Sequence, residues 1–201
     1  MYEIQITPEM KTKALDFARE KVESGTAYAR TEERYAPISD ADIPYLGLDD
    51  KSEQWLKKVD RKTKNQIAHW YVGKVGEEVG QEVLATLDIP HECPDKWKVV
   101  ADPHFRDKTD ALIYPNTPKE SKVNFRAGWR TNHKRLIVPP DMYRNQPSDF
   151  YIGMRLDLPE NKVYVYGYAV RDDLEWADYL PLPAYAIFYD ELKDLSELKD
   201  C

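Results

Sequence analysis

A change of hydrophobic period partway along the chain limits the folds open to it. Ile67, Tyr71, Val75, Val79 and Val83 recur every four residues, and Leu84 and Leu87 extend the stripe. That spacing predicts one face of a helix over residues 52–87, with a break near Asp60–Thr63. Pro90 and Pro94 end it, because proline has no N–H to continue a helix and clashes with the preceding turn. Beyond them the period falls to two. Candidate strands are Trp97–Ala101, Thr109–Tyr114, Lys122–Trp129, Leu136–Val138, Phe150–Leu156 and Lys162–Tyr168. Arg171–Ala177 and Ala184–Leu195 read as closing helices. Helices, a run of strands and short helices predict an α/β or α+β domain with a mixed sheet. No linker divides it, so residues 1–201 read as a single domain.

Upstream, residues 8–23 read as a helix with Thr7 as N-cap and Pro8 in the first helical position. Gly25, Pro37, Pro44 and Gly47 break any period through residues 24–51. Tyr28, Tyr35 and Tyr45 in that stretch either pack or stack on bases. With 201 residues, the chain is long enough for one buried core. Its 42% hydrophobic and 32% charged residues suit a globular protein, not a disordered tail. No apolar run approaches the ~20 residues that span a bilayer. MYEIQITPEM lacks a basic-then-apolar leader. Cys93 and Cys201 make neither a disulfide framework nor a zinc set. The expectation is a cytoplasmic protein without membrane partners.

Charge is unevenly spread. The net charge is −7, and residues 157–201 account for it, with eleven acidic side chains against four basic ones. Two stretches of the neutral remainder are basic: Lys57, Lys58, Arg61, Lys62 and Lys64, then Lys119, Lys122, Arg126, Arg130, Lys134 and Arg135. Either is a solvated face or a surface for phosphates. Around Trp129, the residues Arg130, His133, Lys134 and Arg135 mix an aromatic with cations, which suits a nucleic-acid backbone or an ordinary loop. The acidic C-terminal region reads as a solvated helical face or as a surface for a basic partner.

Two local patterns carry candidate chemistry. Gly73, Gly76 and Gly80 fall in the interior of the long predicted helix, where each costs about 1 kcal/mol against alanine. Stripped of side chains, that side can approach another backbone. Glu77 shares the side, so either it is carried toward the sheet or the glycines serve packing alone. The second pattern is a hairpin: TDALIY, the turn PNTP, then SKVNFRAGW. A turn centred on Asn116–Pro118 pairs Leu112 with Lys122 and Asp110 with Asn124. Lys122, Asn124 and Arg126 then share one face, with Asp110 at the open end.

A helix of the form GxxGExxG, a strand opening on Asp and a hairpin strand with alternate polar residues resembles the PD-(D/E)XK nuclease superfamily. RLIVPPDMY, DFYIGMRLD, KVYVYGYAVRDDL and YAIFYDEL resemble the second half of its small phage and archaeal members. The resemblance spans roughly residues 66–195. It implies a nuclease-like core, DNA as partner, Mg²⁺ or Mn²⁺ as cofactor, a homodimer in some members, and a viral or mobile-element source acting in the host cytoplasm. Asp110 and Glu77 match the metal-binding carboxylates. Asn124 and Arg126 stand where the family has Glu-x-Lys. That double departure matters, because magnesium prefers carboxylates and the reaction needs a group to deprotonate or position water. Asn124 offers only a neutral amide oxygen. Arg126 can hold a phosphate but cannot act as a base. Lys122 is the nearest substitute for the lysine. Glu120 begins a literal Glu-Ser-Lys, but its register puts it ~13 Å beyond Asp110.

Three expectations follow. One is a metal-dependent endonuclease using Asp110, Glu77 and Asn124, with Arg126 and Lys122 on the scissile phosphate and Arg130, Lys134 and Arg135 steering the backbone. The second is a nuclease fold without catalysis, serving as a binding, structural or inhibitory module. The third makes the acidic C-terminal part a docking surface for a basic protein. His69, His91, His104 and His133 have no ligand spacing, His91 and Cys93 lack two further zinc ligands, and no Walker loop is present.

Overall fold

The computed structural model describes residues 1–25, 37–94, 97, 109–130, 132–145 and 147–200. The chain opens with strand β1 (Tyr2–Gln5) and helix α1 (Pro8–Glu23). The Thr7 hydroxyl accepts the Met10 N–H at 3.1 Å, as its N-cap position requires. A 3-10 helix, Asp40–Leu46, precedes α2 (Asp50–Lys58) and α3 (Arg61–Thr86). The break between α2 and α3 falls at Val59–Asp60, where the Asp60 carboxylate accepts the Lys62 and Thr63 N–H groups.

After α3 come β2 (His91–Glu92), β3 (Ala111–Ile113), β4 (Ser121–Gly128), β5 (Arg135–Val138), helix α4 (Pro140–Asn145), β6 (Phe150–Asp157) and β7 (Lys162–Val170). The last strands are β8 (Glu175–Ala177) and β9 (Ala184–Phe188). Six strands form one mixed sheet in the order β1-β7-β6-β4-β3-β2, with β4 and β6 parallel and the other neighbours antiparallel. β5, β9 and β8 form a second, antiparallel sheet. The fold is therefore α/β, with a large mixed sheet flanked by helices.

Three layers result. Helix α3 lies against β4 on one face of the large sheet. A methyl at Gly76 would sit 2.7 Å from the Ala127 Cβ, and one at Gly80 would overlap the Phe125 ring. Val75, Val79 and Val83 join Phe125, Ile152 and Met154 in the main core. The small sheet covers the other face. Leu136, Val138, Tyr151, Ala169 and Tyr189 form a second core there, and a methyl at Gly153 would come within 2.7 Å of Leu192. Tyr71 and Tyr189 are buried phenols whose hydroxyls donate to the Leu46 and Met154 carbonyls, and burial raises both pKa values.

The closing helices expected at Arg171–Ala177 and Ala184–Leu195 are not formed. Strands β8 and β9 occupy those stretches, with short 3-10 helices at Arg171–Asp173, Tyr189–Glu191 and Leu195–Lys199. β9 pairs along both edges, with β5 and β8, and that tertiary pairing overrides a short apolar run legible either way. The acidic C-terminal region is accordingly no helical face. Most of the strand expected at Trp97–Ala101 lies outside the described residues, as do Tyr28 and Tyr35, while Trp97 itself sits in a turn. No helix among the described residues is long and apolar enough to cross a membrane.

Candidate functional site

The hairpin forms in the register its sequence predicts. Leu112 pairs with Lys122 and Ala111 with Val123, which places Asp110 opposite Asn124 at the open end. The turn uses left-handed backbone at Tyr114 and Asn116. Glu120 accepts the Asn116 N–H within that turn at 2.9 Å, so its carboxylate braces the closed end of the hairpin.

β3 begins at Ala111 opposite Val123, while β4 runs on past that point through Phe125 to Gly128. The Asp110 carboxylate accepts that N–H at 2.7 Å, and the Asp110 N–H donates to the Val123 carbonyl at 3.1 Å. Asp110 thus continues the ladder with its side chain just ahead of β3.

Alternation along β4 then divides the predicted residues. Phe125 and Ala127 meet α3. Asn124 and Arg126 face the small sheet. Asn124 is buried. The Arg126 Nε donates to the Ile137 carbonyl at 2.9 Å, and its Nη1 lies 3.5 Å from both the Asn124 Oδ1 and the Met142 Sδ. The guanidinium ties β4 to β5 and α4 across the layer between the sheets. Lys122 is exposed on the same strand. Its backbone is locked to Asp149 in both directions, the N–H donating to the carboxylate at 2.7 Å and the carbonyl accepting at 3.0 Å.

Glu77 rides on α3, on the opposite side of the large sheet from Asn124 and Arg126. At 100° per residue it stands about 80° round from the mid-line of Gly76 and Gly80. It forms an ion pair with Lys74, one turn earlier, whose side chain is only 3% exposed. The Lys74 ammonium also sits 4.7 Å from the centre of the Phe17 ring. A divalent cation bound mainly by carboxylates needs them to converge. Among the described residues no three His, Cys, Asp or Glu side chains do so. One predicted carboxylate holds a backbone N–H, the other holds a lysine, and the Asn-Arg pair lies across the sheet. Among the described residues no set of carboxylates for Mg²⁺ or Mn²⁺ is assembled.

Comparisons with family models, with curated proteins and with solved structures return no match. The chain's own geometry therefore carries the functional reading.

The arginines predicted to steer DNA have intramolecular partners. Arg130 donates to the Pro37 carbonyl at 3.3 Å, pairs with Asp42 at 3.8 Å and lies over the Trp129 ring. Partial burial pushes the Asp42 pKa up, but hydrogen bonds from Ser39 and the Arg130 charge outweigh it and hold the carboxyl below its usual range. Arg135 lies 4.0 Å from the Phe188 ring centre and 4.9 Å from that of Tyr179. Lys134 is exposed. His133 packs against Gly128, and burial together with the Arg130 charge lowers its pKa. Sequence reasoning missed Lys74, Asp149 and the aromatic partners of Arg135. Only Lys74 was within reach, as the residue one helical turn before Glu77.

Proposed function

We infer that this chain is a nuclease-like domain that binds a partner without hydrolysing phosphodiesters. The carrying observation is Arg126. In the resemblance it stands where a catalytic lysine is required. Here its guanidinium is bound to Ile137 and Met142 as a brace between two sheets. Neighbouring Asn124 is buried and supplies no carboxylate.

The rival reading is a hydrolase holding Mg²⁺ or Mn²⁺ on Asp110 and Glu77. It draws on one contact: Asp110 bonds the Phe125 amide, and the Phe125 ring lies under Gly80, three residues from Glu77. Incubating the protein with supercoiled, single-stranded and branched DNA in Mn²⁺ separates the two. The expected result is intact DNA with wild type, and at most weak new cleavage with Asn124→Glu/Arg126→Lys, because that pair faces away from Glu77. Cleavage by wild type that disappears in Asp110→Ala establishes the hydrolase instead.

A further inference from the structure

Three features stand apart from the hairpin. A shallow pocket of about 60 Å³ between Tyr45, Trp129 and Arg155 is too small for more than a water or two. The buried Lys74–Glu77 pair belongs to the site already described. The third is a groove of about 300 Å³ on the small sheet, lined by Arg135, Glu175, Ala177, Tyr179, Ala186 and Phe188 among others.

Exposed aromatic surface is concentrated there. Of the five large hydrophobic side chains exposed among the described residues, Trp176 (49%), Tyr179 (64%) and Phe188 (38%) surround this groove. Ala177 and Ala186 give it a floor of small side chains. Beside it runs β8, the last strand of its sheet, which pairs with β9 alone among the described residues. The outward N–H and C=O groups of such a strand are a template for another strand.

Charge selects among occupants. Asp173 is paired with Lys193, and the Glu191 carboxylate accepts the Phe188 N–H. Asp172, Glu175, Asp178 and Asp190 are exposed around the same edge. These residues lie in the 157–201 stretch that holds the whole net charge of −7. Phosphodiester backbones are repelled by that field, and cationic side chains are drawn to it. Arg135 already shows that the local rings accept a guanidinium, lying between Tyr179 and Phe188.

We propose that the β8 edge binds an extended, lysine- or arginine-bearing segment of a partner protein as a fourth strand of the small sheet. This deepens the binding-module reading by naming the partner class. Main-chain hydrogen bonds to β8 supply register. Alternate side chains of the added strand meet Glu175 and Tyr179 on one face and Trp176 on the other, where the Trp176 ring packs edge-on against Tyr185 at 5.3 Å.

The test is selection of randomised linear peptides displayed on phage against the full chain, followed by titration of the enriched peptides. Lysine or arginine at alternate positions is expected. Affinity should fall about tenfold in Trp176→Ala and in the surface variant Glu175→Lys, in line with loss of a central aromatic or charged contact. Methylating alternate peptide backbone nitrogens should abolish binding. No enrichment, acidic or uncharged winners, equal binding to both variants, or tighter binding of oligo-dT overturns the proposal. So does a concentration-dependent dimer that Glu175→Lys dissolves, which would make a second copy the occupant. DNA cleavage in Mn²⁺ is a separate readout: it removes the non-hydrolytic reading and leaves the peptide result standing.

Discussion

At the scale of single residues, Asp110 decides between two descriptions of the hairpin. Its carboxylate accepts the N–H of buried Phe125, and an oxygen acceptor there is all the ladder needs. Asp110→Asn keeps an amide oxygen and is expected to leave stability within about 1 kcal/mol of wild type. Asp110→Ala strands a buried donor and should cost ~1–3 kcal/mol. Urea denaturation of both variants checks this. A metal-binding aspartate gives another pattern, because both changes remove a charged ligand and the apo protein gains stability from losing it. Asp110 was singled out from sequence because it begins a strand with a charge. That signal is real, but a chemical ligand and a ladder cap look the same until the neighbouring strand outruns its partner.

At the scale of elements, the contact of α3 with β4 depends on two glycines. Gly76 and Gly80 face Ala127 and Phe125, whereas a methyl at Gly73 meets nothing within 4 Å among the described residues. Gly80→Ala should therefore destabilise by ~1–3 kcal/mol through overpacking. Gly73→Ala should stabilise by up to about 1 kcal/mol through helix propensity. Thermal unfolding of the pair distinguishes a packed glycine from a tolerated one. The Asp60 cap emerged only with the structure, whereas the long helix, a break near Asp60–Thr63 and the hairpin register were legible, the first from a four-residue repeat and the last from a turn between prolines. β1, β2, β8 and β9 were not. They run to five residues at most, and such runs acquire a type only from the strands they pair with. The strand at Ala184–Phe188 also ties the acidic region into the core. β9 sits between β5 and β8, and Leu195 and Leu198 are fully buried, so deleting residues 172–201 removes core along with charge.

Across the whole molecule, the layers assign the charges their places. The face of the large sheet that meets α3 is apolar, with Glu77 and Lys74 paired at its margin. The face that meets the small sheet is crossed by Arg126, and acid groups gather with exposed rings at the far edge of that sheet. We propose that Asp110 serves the strand ladder and Glu77 serves Lys74, so that no ion bridges the two carboxylates. Soaking crystals in Mn²⁺ and recording anomalous diffraction at the manganese edge tests it most directly. No anomalous peak is expected within coordination distance of either carboxylate. One peak bonded to both Asp110 and Glu77 would contradict it.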